Sequence, residues 1–131
     1  MEIEIFTLCD FAQDNGGKLI IVGTFDSMQA KTFPVRHLAC SIACRLRFSK
    51  KEHGPHTVAV RFIDHQNNEL VQPLEAEIMV EQPQVAEHST INFVINYNNV
   101  EFKTPGRYSF ELSVDGEWKS GLPLHLTKVS P

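Results

Sequence analysis

The residues best equipped for chemistry in this chain are its six histidines. His53-Gly54-Pro55-His56 sits in a polar, Pro-broken stretch, and Glu87-His88 closes another of the same kind. Asp115-Gly116-Glu117 forms a third turn, and Asp14 belongs to a fourth. If the intervening strands run simply up and down, these four turns gather at one end of the fold. Imidazoles and carboxylates meeting there would supply the donors of a zinc or similar ion. His53, His56, His88 and Asp115 are therefore the candidate metal ligands, and their loop end is the candidate site for an enzyme. Against this, His53-x-x-His56 in a loop is not a recognised ligand spacing, and solvated loop histidines account for the same residues. The expectation is no metal and no cofactor, with that loop end as the alternative.

Other chemistry finds less support. Asp64, Asn67 and Asn68 offer too few acidic oxygens for calcium, and their types are those of a turn. There is no Gly-x-Ser-x-Gly elbow and no Gly-rich phosphate loop before a helix. Cys9 with any histidine can be written as a nucleophile and base, but a cysteine on an apolar strand is inert. Glu75, Glu77 and Glu81 line the outward face of one strand, where they repel one another. They read as a solvated acidic face that blunts a strand edge. No catalytic residue is assigned, and the chain is expected not to be an enzyme.

The elements that must position these residues are strands. Leu38, Cys40, Ile42, Cys44, Leu46 and Phe48 share one parity, with Arg45 and Arg47 on the other. Leu74, Ala76, Ile78 and Val80 alternate with Glu75, Glu77, Met79 and Glu81. The same period of two recurs in residues 18–25, 58–62, 90–97, 107–114 and 122–126, and no stretch has a helical period. Such alternation places one face on a core and one in water, as antiparallel sheets permit. The expected fold is all-β: a two-sheet antiparallel sandwich of about eight strands, immunoglobulin-like, forming one domain over residues 1–131. The first strand has mixed parity, with Ile3 and Ile5 on one and Phe6 and Leu8 on the other. A β-bulge or burial on both sides would produce that.

Turn chemistry agrees. Asp14-Asn15-Gly16-Gly17 and Asp115-Gly116 are hairpin turns, and Gln66-Asn67-Asn68 reads as a third. Pro105-Gly106-Arg107-Tyr108 resembles the corner before a late strand of immunoglobulin-like domains, where a Tyr hydroxyl bonds back to upstream backbone.

Bulk properties bound the function. A net charge of −4 gives no basic footprint for nucleic acid or an anionic membrane. No apolar run approaches the roughly 20 residues of a membrane span. Met1 to Phe6 lacks the basic start of a signal peptide. Cys40 and Cys44 fall in one strand with Cα atoms roughly 13 Å apart, too far for a disulfide. Buried free thiols in a reducing, cytoplasmic compartment are expected.

Two stretches carry a family resemblance. One is Phe11-Ala12-Gln13 leading into Gly17-Lys18-Leu19-Ile20-Ile21-Val22-Gly23-Thr24-Phe25-Asp26. The other is Pro105-Gly106-Arg107-Tyr108 through Val114-Asp115-Gly116 to Leu122-Pro123-Leu124. Together they resemble a family of small uncharacterised bacterial proteins, a domain of unknown function. The resemblance implies a stand-alone cytoplasmic bacterial protein and a sandwich fold, and it carries no activity.

Ile20, Val22, Ile63, Met79, Val94 and Trp118 fall on parities assigned outward. If several are contiguous, they mark a surface that another chain covers. An exposed strand edge would serve by strand addition. The expected function is thus a non-enzymatic binding or scaffold module acting through loops or a sheet face. Its expected partner is a protein or a second copy, with a structural subunit of an oligomer as a further alternative.

Overall fold

Each alternating run forms a strand, because one face of it can be buried while the other stays in water. The computed structural model describes residues 1–130; Pro131, the last residue of the expected domain, lies outside the described residues. The strands are β1 (Glu2–Asn15), β2 (Lys18–Thr24), β3 (Ser27–Ala30), β4 (Val35–Ser49), β5 (Gly54–Asp64), β6 (Leu74–Val80), β7 (His88–Phe102), β8 (Gly106–Val114) and β9 (Glu117–Lys128). A 3-10 turn, Lys50–Glu52, joins β4 to β5. The expectation of about eight strands misses β3. This segment is four residues long and runs parallel to β9, Ser27 beside His125 and Ala30 beside Lys128. Four residues are too few to display a period, and the parallel pair departs from a purely antiparallel arrangement.

A four-stranded sheet has the order β2-β1-β4-β7, and a five-stranded sheet has the order β3-β9-β8-β5-β6. The two enclose one core, in which Ile42, Leu46 and Phe48 of β4 share a cluster with Phe62 of β5 and Phe110 of β8. The Phe62 and Phe110 rings stack with centroids 4.0 Å apart, and both are essentially inaccessible to water. Burying each contributes about 1.5–3 kcal/mol.

The mixed parity of β1 comes from a bulge. Ile3 pairs with Leu46 and Ile5 with Arg45, so Glu4 is the extra residue. A second irregularity overturns one expectation. Leu38, placed inward by alternation, is 78% exposed. The ladder pairs His37 with Val100 and Ala39 with Asn98, and Asn99 takes φ +54. Parity shifts on both strands there, so Val35 and Val100 pack on the core and Leu38 turns to solvent.

The turns close as their residues require. Gly16 and Gly17 adopt φ +62 and +86 between Asn15 and Lys18, and Asp115 and Gly116 adopt +53 and +80 between Val114 and Glu117. Both are two-residue hairpin loops with positive φ at both positions. Gln66-Asn67-Asn68 turns the chain back along β5, and β6 pairs antiparallel with β5 from Leu74 opposite Val60 onward. The Asp64 carboxylate accepts the Gln66 and Asn68 N–H groups, and Ile63 bridges Glu69. At the Pro-Gly corner the Tyr108 hydroxyl donates to the Thr104 carbonyl at 2.6 Å.

Candidate functional site

Three of the predicted turns do share one end. His56 Nδ1 lies 2.6 Å from Asp115 Oδ2, and His56 Nε2 lies 2.6 Å from the Glu52 carbonyl oxygen. Both ring nitrogens face acceptors, which favours the protonated, doubly donating form of the ring. Its pKa is raised from 6.5, first by the Glu52 carbonyl and then by Asp115, against an opposing effect of burial. Asp115 is correspondingly lowered from 3.8 by His56 and by the Thr57 N–H. The Glu52 carboxylate accepts from the Met1 ammonium and the Ser49 N–H, which bring it down to about 2.

This arrangement is a fastening between loops. With both ring nitrogens met by protein acceptors, the His56 ring turns neither of them toward a metal or a substrate. His53 Nδ1 is 3.1 Å from the Lys50 carbonyl oxygen, and His88 stands beside Ser49 at the start of β7. Among the described residues no group of three or more His, Cys, Asp or Glu side chains is placed to hold a metal ion. Of the four sequence candidates, then, the structure brings His56 and Asp115 together and leaves His53 and His88 outside the pair. Asp14 has a different neighbour, since Asn92 Nδ2 donates to Asp14 Oδ1 at 3.2 Å and to the Gly17 carbonyl at 3.0 Å.

That last contact defines the more informative surface. β1 pairs with β4 only as far as Cys9, opposite Ser41, and from Phe11 onward it pairs with β2 alone. The β1–β2 hairpin then lies over the outer face of the four-stranded sheet, its tip fastened to Asn92 of β7. Beneath it Cys9, Ala12 and Ala43 are buried together, with Ile21 and Val94 against them. Small side chains allow this close approach. Within the hairpin Gly23 adopts φ +70 beside Asp10, a left-handed backbone that favours glycine.

One face of the hairpin is therefore covered by its own sheet, and the other is not. Phe11 pairs directly with Val22, and Ile20 shares their face opposite Gln13. Phe11 is 50% exposed, Val22 52% and Ile20 42%. The outward apolar residues expected from sequence thus divide. Ile20 and Val22 form a contiguous patch, Val94 lies under the hairpin, and Ile63 is buried. Met79 and Trp118 are exposed on the other sheet, where the Trp118 indole N–H donates to Glu111. Phe11 is the member that parity alone did not supply. The signal was present: a two-residue turn at Gly16-Gly17 fixes the register and sets Phe11 opposite Val22.

His37 is a further residue that the pattern did not mark. Its Nε2 is buried without a hydrogen-bond partner beside a cavity of about 50 Å3 that Met28, Phe102 and Leu126 help to line. That space admits a water molecule.

The arrangement defines an all-β domain of two facing sheets with an apolar hairpin laid across one of them. Residues 4–127 match a family of unknown function, DUF6941, and the chain belongs to that family. A search of curated proteins finds no match. No helix among the described residues is long and apolar enough to cross a membrane.

Proposed function

We propose that the protein is a non-enzymatic binding module that contacts a protein partner through the exposed face of the β1–β2 hairpin. The observation that carries this is the contiguity of Phe11, Val22 and Ile20 on a hairpin whose other face packs, through Ala12 and Ile21, on its own sheet. Half of each side chain remains to be covered, worth about 1 kcal/mol apiece. That sum is too small to hold a partner alone, so the patch is the centre of a larger contact. The engagement of both His56 ring nitrogens by Asp115 and the Glu52 carbonyl favours this reading over an enzyme at the loop end.

The immunoglobulin-like form of the domain belongs to the same reading. With β2 and β3 set aside, the order β1-β4-β7 faces β9-β8-β5-β6. This corresponds to strands A, B and E opposite G, F and C with one strand added beside C. The Tyr108 bond to Thr104 at the start of β8 supports it. Three free, buried cysteines favour a reducing compartment such as a cytoplasm, and the family resemblance favours a bacterial one.

The test is a Phe11→Ser/Val22→Thr double variant compared with the wild type. Sedimentation velocity across a wide concentration range reads self-association, and affinity capture reads a heterologous partner. The expected result is association in the wild type and its loss in a variant with unchanged circular dichroism. Association that is identical in both proteins would place the contact elsewhere.

A further inference from the structure

The core is incompletely covered along the boundary between β6 and β7. β6 ends the five-stranded sheet and β7 ends the four-stranded sheet, so each presents one unpaired edge. They meet near residues 81–89, where the Ser89 hydroxyl donates to the Glu81 carbonyl at 2.9 Å. Away from that point the inward-parity residues are uncovered. Leu74 is 43% exposed, Ala76 is exposed, and Ile78 and Phe93 are only half-buried. Their equivalents one strand further in, Val58 and Val60 of β5, are 5% and 1% exposed. A cavity of about 80 Å3 lies between Leu74, Ala76 and Ile78 on one side and Phe93 and Ile95 on the other.

Charge says what covers this seam. Glu75 and Glu77 stand on the outer face of β6, opposite Ala59 and Thr57 of β5, and Glu81 follows them. None of the ion pairs among the described residues uses them; the salt bridges of Glu69 and Glu101 lie elsewhere. The sequence contains no Lys or Arg between Arg61 and Lys103. A second copy of β6 set against this edge would oppose glutamate to glutamate, which is destabilising. A strand with cations at those positions would gain where the copy loses. We propose that the β6 edge accepts, by strand addition, an extended peptide segment whose residues alternate apolar and basic. Its apolar side chains cover Leu74, Ala76 and Phe93, and its Lys or Arg side chains face Glu75 and Glu77. Main-chain hydrogen bonds to the free edge supply affinity, and the alternation supplies specificity. β6 has seven residues, which sets the length of the segment recognised. This site is separate from the β1–β2 hairpin, and either assignment stands if the other fails.

Fluorescence anisotropy of the full chain with labelled synthetic peptides tests it. The probes are a peptide alternating Val and Lys, one alternating Val and Glu, and two Val–Lys peptides N-methylated on alternate backbone amides in either register. The Val–Lys peptide is expected to bind, more weakly as salt rises. One of the two N-methylated peptides should lose binding. A Glu75→Lys/Glu77→Lys variant should weaken the Val–Lys peptide about tenfold and take up the Val–Glu peptide instead. A Glu75→Gln/Glu77→Gln variant, which adds no charge, should weaken the first without gaining the second. Equal binding of both N-methylated peptides would mean surface ion attraction alone and would overturn the proposal. So would indifference to both variants, failure of any peptide to bind, or a dimer whose amide protection falls on β6 and β7.

Discussion

His56 of β5 and Asp115 of the turn between β8 and β9 are joined at 2.6 Å, and the Glu52 carbonyl occupies the other ring nitrogen at the same distance. The pair gives the fold a pH dependence with a definite sign. His56 is raised above 6.5, so its contribution is complete below that value and is lost as pH rises through the folded pKa. Asp115 is lowered below 3.8, so its contribution is present above that value and is lost as pH falls through the folded pKa. The contribution is therefore greatest in the mildly acidic range between them. Thermal midpoints should fall from about pH 5.5 to about pH 8.5 in the wild type. A His56→Gln variant should show a flatter profile over that interval. An equal fall in both would remove the pair as its source.

Gly23 is required by backbone rather than by space. Gly23→Ala should cost about 1–2 kcal/mol, because φ +70 is left-handed. Asp10 can swing aside, so Asp10→Ala on the same background should restore little. Urea denaturation of the single and double variants reads the difference. Full recovery in the double variant would show that the clash with Asp10, and not the dihedral, sets the cost.

Tyr108→Phe deletes one hydroxyl and leaves the Thr104 carbonyl without its donor. A loss of about 1–2 kcal/mol in urea denaturation is expected, with an unchanged denaturant slope. A neutral result would mean that the corner is held by Pro105-Gly106 alone.

The cysteines should be silent until the protein unfolds. Burial pushes Cys40 up to about 11 and Cys44 up to about 12, and Cys9 is raised by the same cause. A thiol reagent at about pH 8 should find no reactive group in the native protein. In denaturant it should find all three. A fast-reacting native thiol would contradict the packing around Cys9, whose Sγ donates to the Ser41 carbonyl.

Alternation made most of the strands legible, because one buried face imprints a period of two on the chain. Gly16-Gly17 and Asp115-Gly116 were legible because only certain residues tolerate positive φ. Leu38 was misread, since a matched parity shift in β4 and β7 leaves no mark in either strand alone. β3 was invisible because Ser27–Ala30 gains its order from β9, far away in sequence. The loop histidines illustrate the same limit. Their approach to one end was readable from strand counting, but the choice of Asp115 and the Glu52 carbonyl as partners for His56 depends on how turns from distant strands pack. At the hairpin, Ile20 and Val22 were legible as outward residues. That Val94 would be covered and Phe11 left bare follows from the fold of the hairpin over its own sheet, which no local pattern encodes.

The central claim, contact through the β1–β2 hairpin, is tested most directly by hydrogen exchange on the protein alone and with its captured partner. Amides of residues 10–24 should become protected in the complex, with the signal lost for Phe11→Ser/Val22→Thr. Protection confined to the loop end around residues 50–57 and 115–117, with residues 10–24 unchanged, would contradict it.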